Sequence, residues 1–368
     1  MKKKTKIIII IISVVLVATL ILGGYMFSKR SYSKVDVLDT YTESASDDSN
    51  YIYYAKGILK YSRDGIAFFN KKGEELWNQP CQMQSPLVEI NGSTAVLGDK
   101  GGTSMMVITK EGMKGEFQTS RPIERLTVSS QGIVGAVLKD EMTPWIVCYD
   151  AKGEVLVEQK ASLVNTGYPL DIAISRDGKT LLVSYLYANQ TSVSTKVCYY
   201  NFEKEEQEHE VAAKSYEGEM IPVAGFLNQS EALLVGDSML AIWDGTRQPK
   251  EQLQIAIDKE IKSVAYNEEK VALVLKNKKA EGYELRVYNT KGKQILSKTF
   301  ENEYDNIKIS GQQVFLYQGS QCLIIHMSGT TRYMGTLDVE IQEIYPLWGI
   351  DKYMVVSAQG MQKVQLTK

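Results

Sequence analysis

One short pattern returns at intervals along this chain, and that recurrence constrains its fold more than any other feature. In each copy an apolar run ends in Asp, Asn or a polar substitute, and two or three turn residues follow. Gly usually closes the turn, and another short strand begins. The copies lie at 66–73 (Asn70-Lys71-Lys72-Gly73), 106–112, 146–153 (Asp150 to Gly153) and 285–292 (Asn289 to Gly292), with looser forms at 197–202, 240–245 and 324–329. Asp and Asn suit the position because their side chains bond nearby backbone amides, and Gly accepts the positive φ that the turn requires. From Gly73 to Gly329 the spacing averages about 43 residues. A repeat of that length, with about four strands per unit, is the signature of propeller blades. Amphipathic helical periodicity is nearly absent, which excludes helical solenoids.

The remaining strands fill each unit. Residues 261–266 and 271–275 form an inner pair, and 170–174 with 181–185 form another, joined by an Asp177-Gly178 hairpin turn. The strongly apolar strand of each pair fits a blade buried on both faces. The chain ends in a partial eighth copy, 341–345, 353–357 and 361–366, which lacks an outer strand. Val35 to Leu38 is the strand available to close the ring. The expectation is an all-β propeller of eight blades over 50–368. Seven longer blades remain the alternative, because the strand before Gly57 is weak.

Lys2, Lys3, Lys4 and Lys6 precede an uncharged run of 21 residues, 7–27. At about 1.5 Å per residue a helix of this length crosses a hydrocarbon core of about 30 Å. The run is longer than the h-region of a signal peptide and ends at only a weak cleavage site. No Cys follows to make a lipoprotein. Lys29, Arg30 and Lys34 lie beyond it, so the basic excess is slightly N-terminal and favours an inward N-terminus with an exported body. Removing these seven from the 42 basic residues leaves 35 against 44 acidic ones from Val35 onward. An acidic body has no electrostatic reason to bind nucleic acid or an anionic inner leaflet. The chain therefore reads as a cytoplasmic basic tail (1–6), a transmembrane helix (7–27), a polar tether (28–49) with a closing strand, and a propeller (50–368). The lipid bilayer is the partner of 7–27.

Catalytic constellations are scarce. The two histidines, His209 and His326, are isolated: the first sits in a charge-rich segment and reads as solvated, the second as a packed or edge residue. They support neither a zinc site nor a Ser-His-Asp triad. Cys81, Cys148, Cys198 and Cys322 fall in different blades and read as buried thiols. Cys148 and Cys198 occupy corresponding strands with side chains expected on opposite faces, and no disulfide is expected. Of the 22 tyrosines, Tyr51 to Tyr54, Tyr185, Tyr187, Tyr199 and Tyr200 could line a funnel or simply pack in strands. Met105, Met106, Met113, Met220 and Met239 read as core or turn residues.

The segment 57–77, with Asp64-Gly65, Asn70 to Gly73 and Trp77, resembles a repeat of the quinoprotein (PQQ-like) propellers. Ser175-Arg176-Asp177-Gly178-Lys179 is similar to the blade start of WD40-like and TolB-like propellers. End to end, with Trp77-Asn78-Gln79, Ser85-Pro86, Gly167 to Ile172 and Tyr199 to Phe202, the chain resembles an uncharacterised bacterial family of membrane-anchored propellers. That resemblance implies fold and topology and no activity. One Trp-bearing blade does not amount to a quinone or calcium site, so no cofactor, metal or catalytic residue is assigned. The expected function is a non-enzymatic binding or scaffold module at the cell envelope, with another envelope protein or a small funnel ligand as partner. The alternative is an envelope hydrolase acting on glycan or peptide through funnel carboxylates.

Overall fold

The structure is a computed structural model and describes residues 3–42, 49–140, 143–162, 166–188, 192–202, 210–277 and 281–368. Among these residues lie eight four-stranded sheets. Blades 1 to 7 are 50–80, 86–118, 123–160, 168–217, 223–256, 260–300 and 306–336, each pairing its strands in sequence order from the inside outward. Blade 8 takes three strands from 343–367 and its outer strand from Lys34–Thr42. The count is eight rather than seven, and the segment before Gly57 is a true inner strand, Asn50–Tyr54.

Packing between blades holds the ring together. In the second strand of blade 2, Thr94–Asp99, every residue is buried. Successive side chains point to opposite faces of a strand, so Val96 packs toward blade 3 while its neighbour Leu97 packs toward blade 1. An apolar cluster of this kind lies between every adjacent pair of blades, including the last and the first. There Ile58 and Phe69 meet Met354, Val356 and Met361, and this contact closes the circle.

The closing strand is longer than Val35 to Leu38. It pairs from Lys34 opposite Thr367 to Thr42 opposite Gly360, with a register shift between Val37 and Asp39. That bulge leaves Leu38 as the extra residue and breaks the alternation a reader of the sequence would follow. Beyond it Tyr41 lies against Gly73 of blade 1, where a Cβ would come within 3.0 Å of the ring. Phe117 lies in the same way against Gly153 of blade 3. These glycines have φ of +77° and +89°, so the residue type that makes the turn also admits the neighbouring blade's aromatic ring.

The recurring Asp or Asn caps the same turn each time. Asn70 Oδ1 accepts the N–H groups of Lys72 (2.8 Å) and Glu74 (3.2 Å). Asp150 Oδ1 accepts those of Lys152 and Glu154, each at 2.8 Å. Asn289 repeats the arrangement with Lys291 and Lys293. His326 stands in the equivalent place, and its Nδ1 accepts the Ser328 N–H at 3.1 Å. Burial, Arg332 and Lys29 hold its pKa below the ordinary histidine value, which suits a neutral acceptor.

Ahead of the ring runs a helix, Lys3–Ser28. Among the described residues no helix is long and apolar enough to cross a membrane. The side chains of 3–9, 20–21 and 27–28 lie outside the described residues, so the described part of the expected 7–27 span falls into two shorter runs, 10–19 and 22–26. The Ser44, Ser46 and Asp47-Asp48 part of the tether and His209 also lie outside the described residues.

Candidate functional site: the central channel

Inner strands of blades 2 to 6 surround a cavity of about 340 Å³ on the propeller axis. Its chemistry comes from Glu89 of blade 2, Asp171 of blade 4 and Tyr266 of blade 6. The inner strands of blades 4 and 6 are irregular, with register shifts between Pro169 and Asp171 and between Ile261 and Ser263. Bulges of this kind re-aim side chains. Asp171 Oδ2 accepts the Ala224 N–H at 2.8 Å and so ties blade 4 to blade 5. The Tyr266 hydroxyl rests against Gly225, where a Cβ would come within 2.2 Å of it. Any larger residue at 225 would displace the Tyr266 ring.

Glu89 is exposed to the channel and Asp171 is half-buried, with the ring of blades around both. Burial, reinforced by the charge of Asp171, raises the Glu89 pKa to about 7. Burial also raises Asp171 to about 6, against the pull of the Ala224 N–H and Arg125. Tyr266 is pushed up to about 12 by burial, then by Asp171 and Glu89. Unfolded Glu and Asp titrate near 4.3 and 3.9. From about pH 4 to pH 7 the folded chain therefore holds protons that the unfolded chain releases, and this site's contribution to stability falls as pH rises through that window. Glu89→Gln is expected to stabilise the propeller at pH 8 by about 1 kcal/mol, a figure discounted for screening by channel water. At pH 4 it should have little effect. Denaturant midpoints at both pH values read this directly, and an equal shift at the two would contradict it.

The opposite wall neutralises itself. Lys308 of blade 7 bonds Glu343 of blade 8 at 2.8 Å, and Glu343 Oε2 accepts the Tyr53 N–H of blade 1 at 3.0 Å. The Lys308 ammonium lies 4.9 Å from the Tyr53 ring centre, and Tyr53 packs on Tyr345 at 4.6 Å. Burial lowers the Lys308 pKa, with Glu343 opposing. These contacts stitch together the inner strands of blades 7, 8 and 1. At one mouth Arg176 of blade 4 pairs with Glu268 of blade 6, passing over blade 5.

Most tyrosines singled out in the sequence pack instead of lining the channel. Tyr51, Tyr54, Tyr185, Tyr199 and Tyr200 are buried between blades, while Tyr53 belongs to the channel wall and Tyr187 is exposed. Met105, Met106 and Met239 are core residues, and Met113 and Met220 are exposed. All four cysteines are free thiols, Cys81 half-buried and the rest buried. Cys148 and Cys198 do point to opposite faces of their own blades. On a ring that places them in the same layer, between blades 3 and 4. Burial raises each of Cys148, Cys198 and Cys322 to about 12, so none is a reactive thiolate. Among the described residues no group of three or more His, Cys, Asp and Glu is placed to hold a metal.

A closed eight-bladed ring with an acidic wall facing a self-neutralised one defines the class: an all-β propeller with a polar axial channel. More particularly, residues 28–366 match the model of a family of unknown function (DUF5711), and the chain belongs to that family. No curated protein matches it. Among solved structures, BamB from Moraxella catarrhalis is similar, with a TM-score of 0.55 at 12% identity over 90% of this chain and 99% of that one. A structure described as the eukaryotic initiation factor is also similar, with a TM-score of 0.54 at 9% identity over 86% of this chain and 83% of that one. At these identities the likeness is one of fold.

Proposed function

We propose that this protein is a membrane-anchored propeller, exposed on the outer face of the cytoplasmic membrane, that works as a binding or scaffold module and not as an enzyme. The observation that carries the reading is the junction of helix and ring. The described apolar side chains of the helix stand exposed: Ile10 is 61% exposed, Val14 62% and Met26 63%. Six residues after the helix ends, the chain enters the closing strand. A stripe-free apolar helix of this kind is stable against lipid and unfavourable in water. The basic residues flanking it favour an inward N-terminus. Function in a propeller then lies in loops and channel, with an envelope protein or a small channel ligand as partner.

Full-length chain in intact cells and in inverted vesicles tests the topology. Added protease should digest the propeller only in the first case, and the chain should stay in the membrane pellet at alkaline pH. Release from the pellet, or digestion only in inverted vesicles, would refute the reading. The hydrolase alternative draws on Glu89, whose raised pKa suits a general acid beside Asp171. Turnover of an envelope glycan or peptide that Glu89→Gln abolishes would favour it over a scaffold.

A further inference from the structure

The loop 347–351 joins the inner and second strands of blade 8 and presents Trp348, which is 97% exposed, and Ile350, 55% exposed. No other large apolar side chain of the ring is as bare as this indole among the described residues. The loop is nevertheless firmly held. The Leu347 N–H bonds the Lys352 carbonyl at 2.8 Å, and Asp351 is buried with φ of +50°. Its carboxylate accepts a hydrogen bond from the Tyr32 hydroxyl and pairs with buried Arg332 at 3.6 Å. The Tyr32 N–H in turn bonds the Arg332 carbonyl at 2.8 Å.

Those contacts fix where the loop lies relative to the helix. Only residues 29–31 separate Tyr32 from the helix end at Ser28, at most about 14 Å of extended chain. The headgroup layer on each side of the hydrocarbon core is about 5–8 Å thick. Lys29, Arg30 and Lys34 follow the helix and Lys352 follows the loop, and Tyr25 sits 5.9 Å from the Lys29 ammonium at the helix end. Trp and Tyr with flanking Lys and Arg are the residues that favour a membrane interface, where an indole buries its apolar face and keeps its N–H wet.

Resting on the anchoring proposed above, we propose that Trp348 and Ile350 insert into the headgroup–acyl boundary of the membrane that holds the helix. They form a second lipid contact that sets the propeller's tilt, with the 347–351 end of blade 8 facing the bilayer. A rigid loop base means that little ordering entropy opposes insertion.

The full chain and Trp348→Phe, each reconstituted in phosphatidylethanolamine/phosphatidylglycerol vesicles with and without brominated acyl chains, test this. Trp348 is one of four tryptophans, so bromolipid should quench about a quarter of the wild-type emission, and Trp348→Phe should lose that component. Flotation of both proteins with the vesicles reads the anchor separately. Flotation with equal quenching in the two proteins overturns the lipid contact and leaves the anchor standing. Failure to float overturns both. Trp348 shielded from acrylamide but not quenched by bromolipid would instead assign the loop to a second copy of the chain, and would also refute the proposal.

Discussion

A chain lacking residues 1–42 is expected to lose most of its stability, whereas one lacking only 1–28 should keep it. The closing strand contributes eight residue pairs to blade 8. At about 0.5–1.5 kcal/mol for each net hydrogen bond, one per pair, its removal costs about 4–12 kcal/mol, comparable with the whole stability of an ordinary domain. The apolar loss adds to this. Tyr32 and Val35 pack on the cluster of Tyr353, Val355, Val364 and Leu366 between blades 7 and 8, and Tyr41 packs on the cluster that joins blade 8 to blade 1. Without the strand, Gly360–Thr367 becomes an open edge, a template for pairing with other chains. A peptide spanning 29–49 added in trans should restore part of the lost stability by strand addition. Denaturant titration of the two truncations decides the matter. Equal midpoints would mean that the ring is closed by blade packing alone.

Legibility followed the range of each interaction. The turn words were readable because their chemistry is local: Asn70, Asp150 and Asn289 cap amides two and four residues ahead. The closing strand was found by elimination, since a partial eighth copy without an outer strand needs one from elsewhere. Its far half was missed because the bulge at Leu38 reverses the alternation, so Tyr41 read as linker. The cysteine pair shows a different limit. Opposite faces on equivalent strands look like separation on a flat sheet and mean confrontation on a ring. Nothing local marked the channel. Glu89, Asp171 and Tyr266 sit on three alternate blades and meet only because the ring brings inner strands to one axis. The clue to hand was weak: charged or phenolic residues on strands that should otherwise read apolar.

The pair Arg332–Asp351 should prove the most mutation-sensitive polar contact of the ring. Arg332 is wholly buried and the Asp351 side chain is 1% exposed, so neither charge has solvent to fall back on. Removing one partner strands the other in a low-dielectric layer and costs about 3–5 kcal/mol, while replacing both is often close to neutral. Asp351→Asn is the appropriate probe because Asn tolerates the left-handed backbone at this position. Arg332→Met keeps the length of the side chain without its charge. Each single change is expected to lower stability by about 3–5 kcal/mol, and the double variant should recover at least half of the summed loss. The effect should persist at high salt, since screening acts on exposed pairs and hardly on this one. Tyr32→Phe, which keeps the ring and removes only its hydrogen bond to Asp351, should cost about 1 kcal/mol. That ordering separates the buried charge pair from the tether contact it supports. Asp351→Asn within 1 kcal/mol of wild type would mean that Arg332 is held by its other neighbours, and that the tether is fixed by strand pairing rather than by this clamp.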